Sequence, residues 1–493
     1  MVPRALPGEL LRARVTAVKG SYADAARLET LEPHARAAPP PCPHFAECGG
    51  CPLQALQYEA QLDHKRAAAA ELMARVGGVP RSDLDQIVRP AVGAPPARRL
   101  GYRNKLQFAF GSRVAAGGGG GGGGSGGEEG VPTAGGAAAE AGGGGGGGGG
   151  WALGFLKPGT SDVVVPISAC LLQGAAGNAA LSAARRAAAE LGLAPPGAGA
   201  PPGRGMLRRL IIRSAPAPVP AVADNAVVIV TAECASDLIR PMAEAIAAAV
   251  PDVVSVVHSG GGGARGGARA LRVARSAVLV GAPALEQSLC GLRFSVGPHS
   301  FFQTNGHMAG VLYDLVAEAV GQLPPGAPVL DLYTGTGTIA LTLAKRLGGS
   351  VWGADVDARA IADATANAAA NGVAGARFVC GDLDALAASG LPLFDGGGGK
   401  GAAGKGRGPG GTAAGGVIVV DPARAGLGRP VVEFLRRSGA GRVVYVSCNA
   451  ATQARDVARL AGAYRLAALT PVDLFPQTEH VETVAVLERV AAP

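Results

Sequence analysis

From about Leu285 onward the chain alternates short apolar runs with longer amphipathic stretches. No other feature restricts its fold as much. Val329–Leu332, Val351–Ala354, Val417–Val420 and Val443–Val446 are runs of strand length, rich in β-branched residues. Ile339–Leu347, Ala358–Asn371, Val431–Ser438 and Ala451–Ala461 follow them with helical character. Strand–helix alternation predicts an α/β fold with a doubly wound parallel sheet. Such sheets place their chemistry beyond the carboxyl ends of the strands. This gives an expected domain at 285–493.

Upstream the pattern differs. Tyr102–Phe110, Trp151–Leu156, Val163–Val165, Leu207–Arg213, Ala226–Thr231 and Leu271–Val280 read as strands, with helices at Tyr58–Val76 and Asp237–Val250. A β-rich central domain is expected at 39–284. The opening 1–38 alternates apolar and basic residues around Pro7-Gly8 and reads as two short strands, part of a small β-barrel whose first strands are missing. Glycine accounts for 79 of 493 residues, over twice the usual share of about 7%. The surplus lies in Gly117–Gly150, Gly260–Gly267 and Gly396–Gly416. Runs of this kind cannot bury enough apolar surface to offset their ordering entropy. They read as loop insertions at 114–150 and 395–416.

A net charge of +8 suits a polyanionic partner without requiring one. No apolar stretch reaches the roughly 18 residues of a membrane span, so no membrane partner is expected. Eight cysteines in so long a chain do not resemble a secreted disulfide scaffold. An intracellular, reducing compartment is expected, with cytosol, plastid and mitochondrion all open.

Four motifs carry chemistry. Asp331-Leu-Tyr-Thr-Gly335-Thr-Gly337-Thr338 closes the first run with a glycine turn leading into a helix. Glycines let the backbone approach a nucleotide-like ligand. Asp355 ends the second run, where a carboxylate accepts from ribose hydroxyls. The turn lacks the third glycine of the dinucleotide fingerprint, since position 340 is Ala. It suits S-adenosylmethionine better than a dinucleotide. Asp421-Pro-Ala-Arg424 puts a carboxylate after the third run, either facing a planar base or capping a turn.

Val443-Val-Tyr-Val-Ser-Cys448-Asn449 delivers a thiol to a strand end, and Asp473-Leu-Phe-Pro-Gln-Thr-Glu-His-Val-Glu482 follows. A thiol and a carboxylate suggest covalent catalysis and proton abstraction. The alternative for a single cysteine is an inert core position. Finally, Cys42-x5-Cys48-Gly-Gly-Cys51 gathers three thiols in one loop, and Cys170 offers a fourth. Four-cysteine sets hold iron–sulfur clusters or zinc. Cys234, Cys290 and Cys380 lie in apolar contexts and read as core.

These motifs, with Phe301-Phe-Gln-Thr-Asn305, occur in an order that resembles the RNA 5-methyluridine methyltransferases, in the branch that carries a [4Fe-4S] cluster. The resemblance spans nearly the whole chain outside the glycine runs. It implies a Rossmann-like methyltransferase domain at 285–493 and a partial TRAM-like RNA-binding barrel at 1–38. It also implies that Cys42, Cys48, Cys51 and Cys170 ligate the cluster. Gln303, Tyr333, Thr338, Asp355 and Asp382 would surround S-adenosylmethionine, with Asp421 between donor and target base. Cys448 would be the nucleophile and Glu482 the base, with His480 either orienting it or only packing. Ala423 and Ala450 stand where the family usually has proline, and Thr334 where cysteine is common; no reacting group is lost.

The implied reaction is methylation of uracil C5 in RNA, in ribosomal RNA first and in the tRNA T-loop as the alternative, by a monomer. Two readings from other classes compete. An iron–sulfur electron carrier would cycle reversibly and transfer no methyl group. A non-catalytic RNA-binding protein would keep its activity without Cys448.

Overall fold

The computed structural model describes residues 2, 5–20, 22–114, 150–199, 203–215, 224–232, 235–261, 275–323, 327–388 and 416–490. Save for their end residues, the three glycine-rich runs lie outside these, as do Lys400–Arg407 and Cys234.

Seven strands build the C-terminal sheet: β1 Val329–Leu332, β2 Val351–Asp355, β3 Ala376–Cys380, β4 Val417–Val420, β5 Arg442–Ser447, β6 Tyr464–Val472 and β7 Glu482–Arg489. Their spatial order is β3-β2-β1-β4-β5-β7-β6. Strands β1 to β5 pair in parallel. Strand β7 is antiparallel to both neighbours, β5 and β6. The expectation of a parallel sheet therefore fails at this edge. Residues 473–481 are too short a link to hold the crossover a parallel return needs.

Alternate residues along the strands feed two cores, as the period of two requires. Leu330, Leu332, Ile418, Val420, Val443 and Tyr445 face helices Arg429–Arg437 and Ala450–Leu460. Val329, Val417, Val419, Val444 and Val446 face helices Gly306–Val320 and Thr338–Leu347. Both faces are covered, which explains runs that are apolar throughout.

Helix Tyr58–Arg75 contributes Ala69 and Met73 to the first of these cores. Beyond it, bridges Val88↔Leu469 and Val92↔Val472 lay the chain along the outer edge of β6 and cover that edge.

The central unit is an eight-stranded sheet in which Lys105–Gly111 lies between Leu207–Ala215 and Ala152–Leu156. Helices Ala175–Glu190 and Ser236–Ala249 pack on it over Phe108, Leu181, Leu210, Ile229 and Ile246. Asn104, just before strand Lys105–Gly111, sutures it to the C-terminal unit: its backbone N–H donates to Thr304 O (2.8 Å) and its side chain to Gln303 O (2.8 Å).

The N-terminal strands Leu10–Val18 and Ala23–Glu32 pair only with each other, as a two-stranded sheet. No closed barrel forms among the described residues. Two strands cannot close on themselves, and Val18 is left 79% exposed.

Candidate active site

Strand direction brings the thiol and the carboxylate together. Because β7 runs against β5, the end of one meets the start of the other, and Ser447 pairs with Thr483. Cys448 and Glu482 are the next positions outward. Cys448 is half-buried, while Glu482 is 3% exposed. Asp421 follows directly after β4, the neighbour of β5. All three thus lie at the carboxyl end of the sheet, next to the point between β1 and β4 where strand order reverses.

The electrostatics are severe. Burial, then the charge of Asp421, hold the Glu482 carboxyl well above the usual range, against the opposing charge of Arg424. Burial pushes Asp421 up to about 7. Burial pushes the Cys448 thiol up as well, helped by Glu482 and Asp421; Arg424 opposes this with its charge and a hydrogen bond. Asn449 caps helix Ala450–Leu460 through Ala451 N–H (3.2 Å), so Cys448 lies by a helix N-terminus, a setting that favours thiolate.

Arg424 has a place that the motif Asp421-Pro-Ala-Arg424 does not by itself assign. Its guanidinium donates to His480 Nδ1 at 3.1 Å, and its carbonyl accepts from Asn449 Nδ2 at 3.0 Å. It therefore holds the thiol loop and the carboxylate loop together. Burial lowers the His480 pKa, with Arg424 adding to the effect. A donor at Nδ1 makes that nitrogen the acceptor of a neutral ring. The sequence does hold a signal for Arg424: a charged side chain three residues after Asp421 in a strand-end turn.

The glycine turn makes an opening. Gly335 has φ +54°, and a Cβ there would meet nothing within 4 Å. At Gly337 (φ +82°) a Cβ would lie 3.0 Å from Ala364 and Phe378. One glycine faces open space and the other is packed shut. Asp355 Oδ2 accepts from Gly335 N–H (2.9 Å) and Oδ1 from Asp357 N–H (2.9 Å), which fixes the carboxylate and leaves lone pairs for hydroxyl donors. Tyr333 sits at φ +64° and its hydroxyl meets the Gly428 backbone, tying this turn to the loop after Asp421.

Gln303 is buried on the suture to Asn104. Thr338 shares its hydroxyl with Tyr313 (2.9 Å), and Asp382 caps the next helix through Ala385 N–H (2.8 Å) while staying exposed. Asp331, to which the sequence assigns no role, is fully buried. Thr334 donates to its Oδ2 (2.6 Å), the Ala340 backbone adds a further contact, and burial raises its pKa to about 7. The fold thus brings Cys448, Glu482 and Asp421 together and places the glycine turn and Asp355 along the same sheet edge. These groups fit a nucleoside-bearing cofactor.

The cysteines make a second locus. Cys42, Cys48, Cys51 and Cys170 are all outside disulfides and partly buried. Burial, then the charges of Cys170, Cys48 and Cys42, push the Cys51 thiol up to about 12, so the four are neighbours. His44 Nε2 and Ser168 Oγ, 2.9 Å apart, join the two stretches that carry them. Gly49 is required between Cys48 and Cys51: its φ is +70° and a Cβ would lie 2.3 Å from Pro158.

Among the described residues no three His, Cys, Asp or Glu are assembled to hold a single metal ion. In that respect the expected site is not drawn together. A four-iron cluster is several atoms across, and its thiolates stand farther apart than the ligands of one ion. The donor set itself, four soft thiols, fits such a cluster. Cys290 packs against the second core, whereas Cys380, expected in the core, is exposed at the end of β3.

Comparison with known proteins agrees with this geometry. The family described as tRNA (Uracil-5-)-methyltransferase matches residues 412–490, and a methyltransferase domain family matches 329–394. An uncharacterized RNA methyltransferase of Bacteroides thetaiotaomicron is 31% identical, covering 99% of this chain and 96% of its own. One from Chlorobaculum tepidum is 32% identical, covering 98% and 90%. The crystal structure of Pyrococcus abyssi tRNA (uracil-54, C5)-methyltransferase with S-adenosyl-L-homocysteine shares the fold. Its TM-score is 0.64 at 23% identity, covering 99% of this chain and 95% of that one.

Proposed function

The chain belongs to the RNA methyltransferase family, and from that membership we propose that it methylates C5 of a uridine in RNA through a covalent Cys448 adduct. The observation that carries this reading is the Ser447–Thr483 pairing, which sets Cys448 beside Glu482.

Uracil C5 is a weak nucleophile. In the proposed path the Cys448 thiolate forms a bond to C6, and the ring electrons move onto C4–O4 as an enolate. C5, now electron-rich, takes the methyl group; S-adenosylmethionine, which Gln303, Tyr333, Thr338, Asp355 and Asp382 would hold, would supply that group as a sulfonium methyl and leave as S-adenosylhomocysteine once the S–CH3 bond breaks. Glu482 takes the proton from C5, the C5–C6 double bond re-forms, and the C6–S bond breaks. Arg424 favours the thiolate and the ionised base alike. Asp421, next to both, faces the ring. The uridine must leave its stack to reach this site.

We also propose that Cys42, Cys48, Cys51 and Cys170 hold a [4Fe-4S] cluster, which would clamp the RNA-facing central domain and supply no electron to the reaction. The N-terminal hairpin and the overall positive charge would hold RNA phosphates.

A uridine of large-subunit ribosomal RNA is the first substrate reading, because the cluster-bearing branch includes such enzymes. The T-loop uridine of tRNA is the second, favoured by the names of the matched family and of the Pyrococcus enzyme. Incubation with S-adenosylmethionine and unmethylated transcripts of each RNA, followed by nucleoside mass spectrometry, separates the two. New 5-methyluridine in one transcript names the substrate; its absence from both contradicts the reading.

A further inference from the structure

The loop that carries the base is held by its backbone. Four consecutive carbonyls of residues 474–477 each accept from a different element. Leu474 O takes Asn305 Nδ2 (3.0 Å), from the cap of helix Gly306–Val320. Phe475 O takes Lys65 Nζ (3.1 Å). Pro476 O takes the Tyr102 hydroxyl (3.0 Å), and Gln477 O takes the Leu53 N–H (3.1 Å), two residues after Cys51.

Helix Tyr58–Arg75 supplies most of the remaining grip. Tyr58, Gln61 and Lys65 are spaced i, i+3, i+7, which places them on one face. Tyr58 Oη donates to Asp473 Oδ2 (2.7 Å) and Lys65 Nζ to Asp473 Oδ1 (2.5 Å). Gln61 makes a two-way pair with Gln477: its Oε1 accepts from Gln477 N–H (3.0 Å), and its Nε2 donates to Gln477 Oε1 (3.0 Å). All three side chains are buried.

Gln477 is the point of strain. Its φ is +74°, a region that a non-glycine residue occupies only where its surroundings compel it. Past it the chain turns back on itself. Thr478 Oγ1 donates to Phe475 O (2.8 Å), His480 N–H to Thr478 Oγ1 (3.3 Å), and β7 begins at Glu482. A loop needed only as a link would not require four donors and a strained corner five residues before a buried carboxylate.

We propose that Gln61 is a positioning residue for proton abstraction by Glu482. It holds Gln477 in its left-handed conformation and so fixes where β7 starts. The inference rests on the uracil-C5 reading. It assigns Gln61 to the last half of the reaction only. Thiol addition and methyl transfer use β4, β5 and the glycine turn, none of which Gln61 touches. With the base displaced, methyl transfer still occurs, but C5 keeps its proton and the C6–S bond does not break.

The test is the fate of the protein–RNA adduct. Gln61→Met is close in size and removes both hydrogen bonds to Gln477, along with the bond from Gln61 Nε2 to Leu56 O (3.0 Å). Full-length protein with methyl-labelled S-adenosylmethionine and the transcript that the wild type methylates is quenched over time and run on a denaturing gel. Glu482→Gln serves as the reference. For Gln61→Met we expect unchanged S-adenosylmethionine binding, a turnover number at least tenfold lower, and a methylated adduct that accumulates as it does with Glu482→Gln. Tyr102→Phe, a milder change that releases Pro476 O and the Arg103 side chain, should shift the same balance a few-fold, and it serves if Gln61→Met does not fold.

Wild-type turnover in both variants would overturn the proposal. So would slow turnover without adduct in a preparation where Glu482→Gln does accumulate it. If Glu482→Gln gives no adduct and the wild type forms no 5-methyluridine, the uracil-C5 reading itself fails and the proposal falls with it.

Discussion

Ser447 and Thr483 face each other across the last pair of β5 and β7, and the Thr483 hydroxyl lies 3.2 Å from Ser447 O and 2.8 Å from Gln453 Oε1. The ladder of β5 and β7, from Arg442 opposite Glu488 to Ser447 opposite Thr483, sets the register of the antiparallel strand. A slip of one residue would turn every side chain of β7 to the other face and carry Glu482 away from Cys448. The juxtaposition of Cys448 and Glu482 is thus a consequence of strand pairing, and its surroundings can be tested one group at a time.

Arg424→Met should raise the pKa of the Cys448 thiol, because Arg424 is the group that lowers it. The rising, alkaline-going limb of kcat/KM against pH would move upward. A thiol pKa higher by one corresponds to about 1.4 kcal/mol, or tenfold less thiolate at neutral pH. A pH–rate profile of wild type and variant reads this directly. Loss of rate with no displacement of the limb would mean that Arg424 serves RNA binding only.

Asp331 and Asp421 should make the ligand-free protein less stable as pH rises. Their carboxyls sit near 7 in the folded chain, against 3.8 for an ordinary aspartate. Between about pH 4 and 7 the folded chain holds protons that the unfolded chain has released, so stability falls with rising pH through that window. Each carboxyl contributes on the order of 2–3 kcal/mol between pH 5 and 8. Asp331→Asn or Asp421→Asn should flatten the decline in Tm measured across that range.

The two turn glycines should separate ligand binding from folding. Gly335→Ala places a methyl group in the open space and should weaken S-adenosylmethionine binding tenfold or more, with a stability cost of about 1 kcal/mol from its φ. Gly337→Ala drives a methyl group against Ala364 and Phe378 and should lower Tm more. Calorimetric titration and thermal melts on both variants check the contrast.

Lys65→Met should cost about 3–5 kcal/mol, because it strands the buried Asp473 carboxylate. The double change Lys65→Met with Asp473→Asn should cost less than the single one. Denaturant unfolding of the wild type and the two variants supplies the comparison.

Much of this is legible in the sequence. The runs at Val329, Val351, Val417 and Val443 form strands because each is buried on both faces, and a fully apolar run announces that. Strand β7 is harder to read because Glu482-Thr483-Val-Ala-Val-Leu-Glu-Arg gives no sign of direction; only the short link 473–481 betrays an antiparallel return. Helix Ala175–Glu190 escapes notice because its alanine-rich face offers little apolar contrast. Cys448 and Glu482 stand out as motif residues, but their juxtaposition depends on β7 and does not follow from spacing. Arg424, Asp331 and Gln61 stay hidden for a related reason: what each does is decided by the folded surroundings, and for Arg424 and Gln61 the partners are distant in the chain.

The central claim is that Cys448 bonds to uracil C6, and trapping that bond tests it most directly. RNA carrying 5-fluorouridine at the target position has no C5 proton for Glu482 to remove, so an adduct once methylated cannot resolve. We predict a methylated protein–RNA band that survives denaturation with wild-type protein and vanishes with Cys448→Ala. A band that persists in Cys448→Ala, or no band where the same RNA with uridine is methylated, would contradict the account.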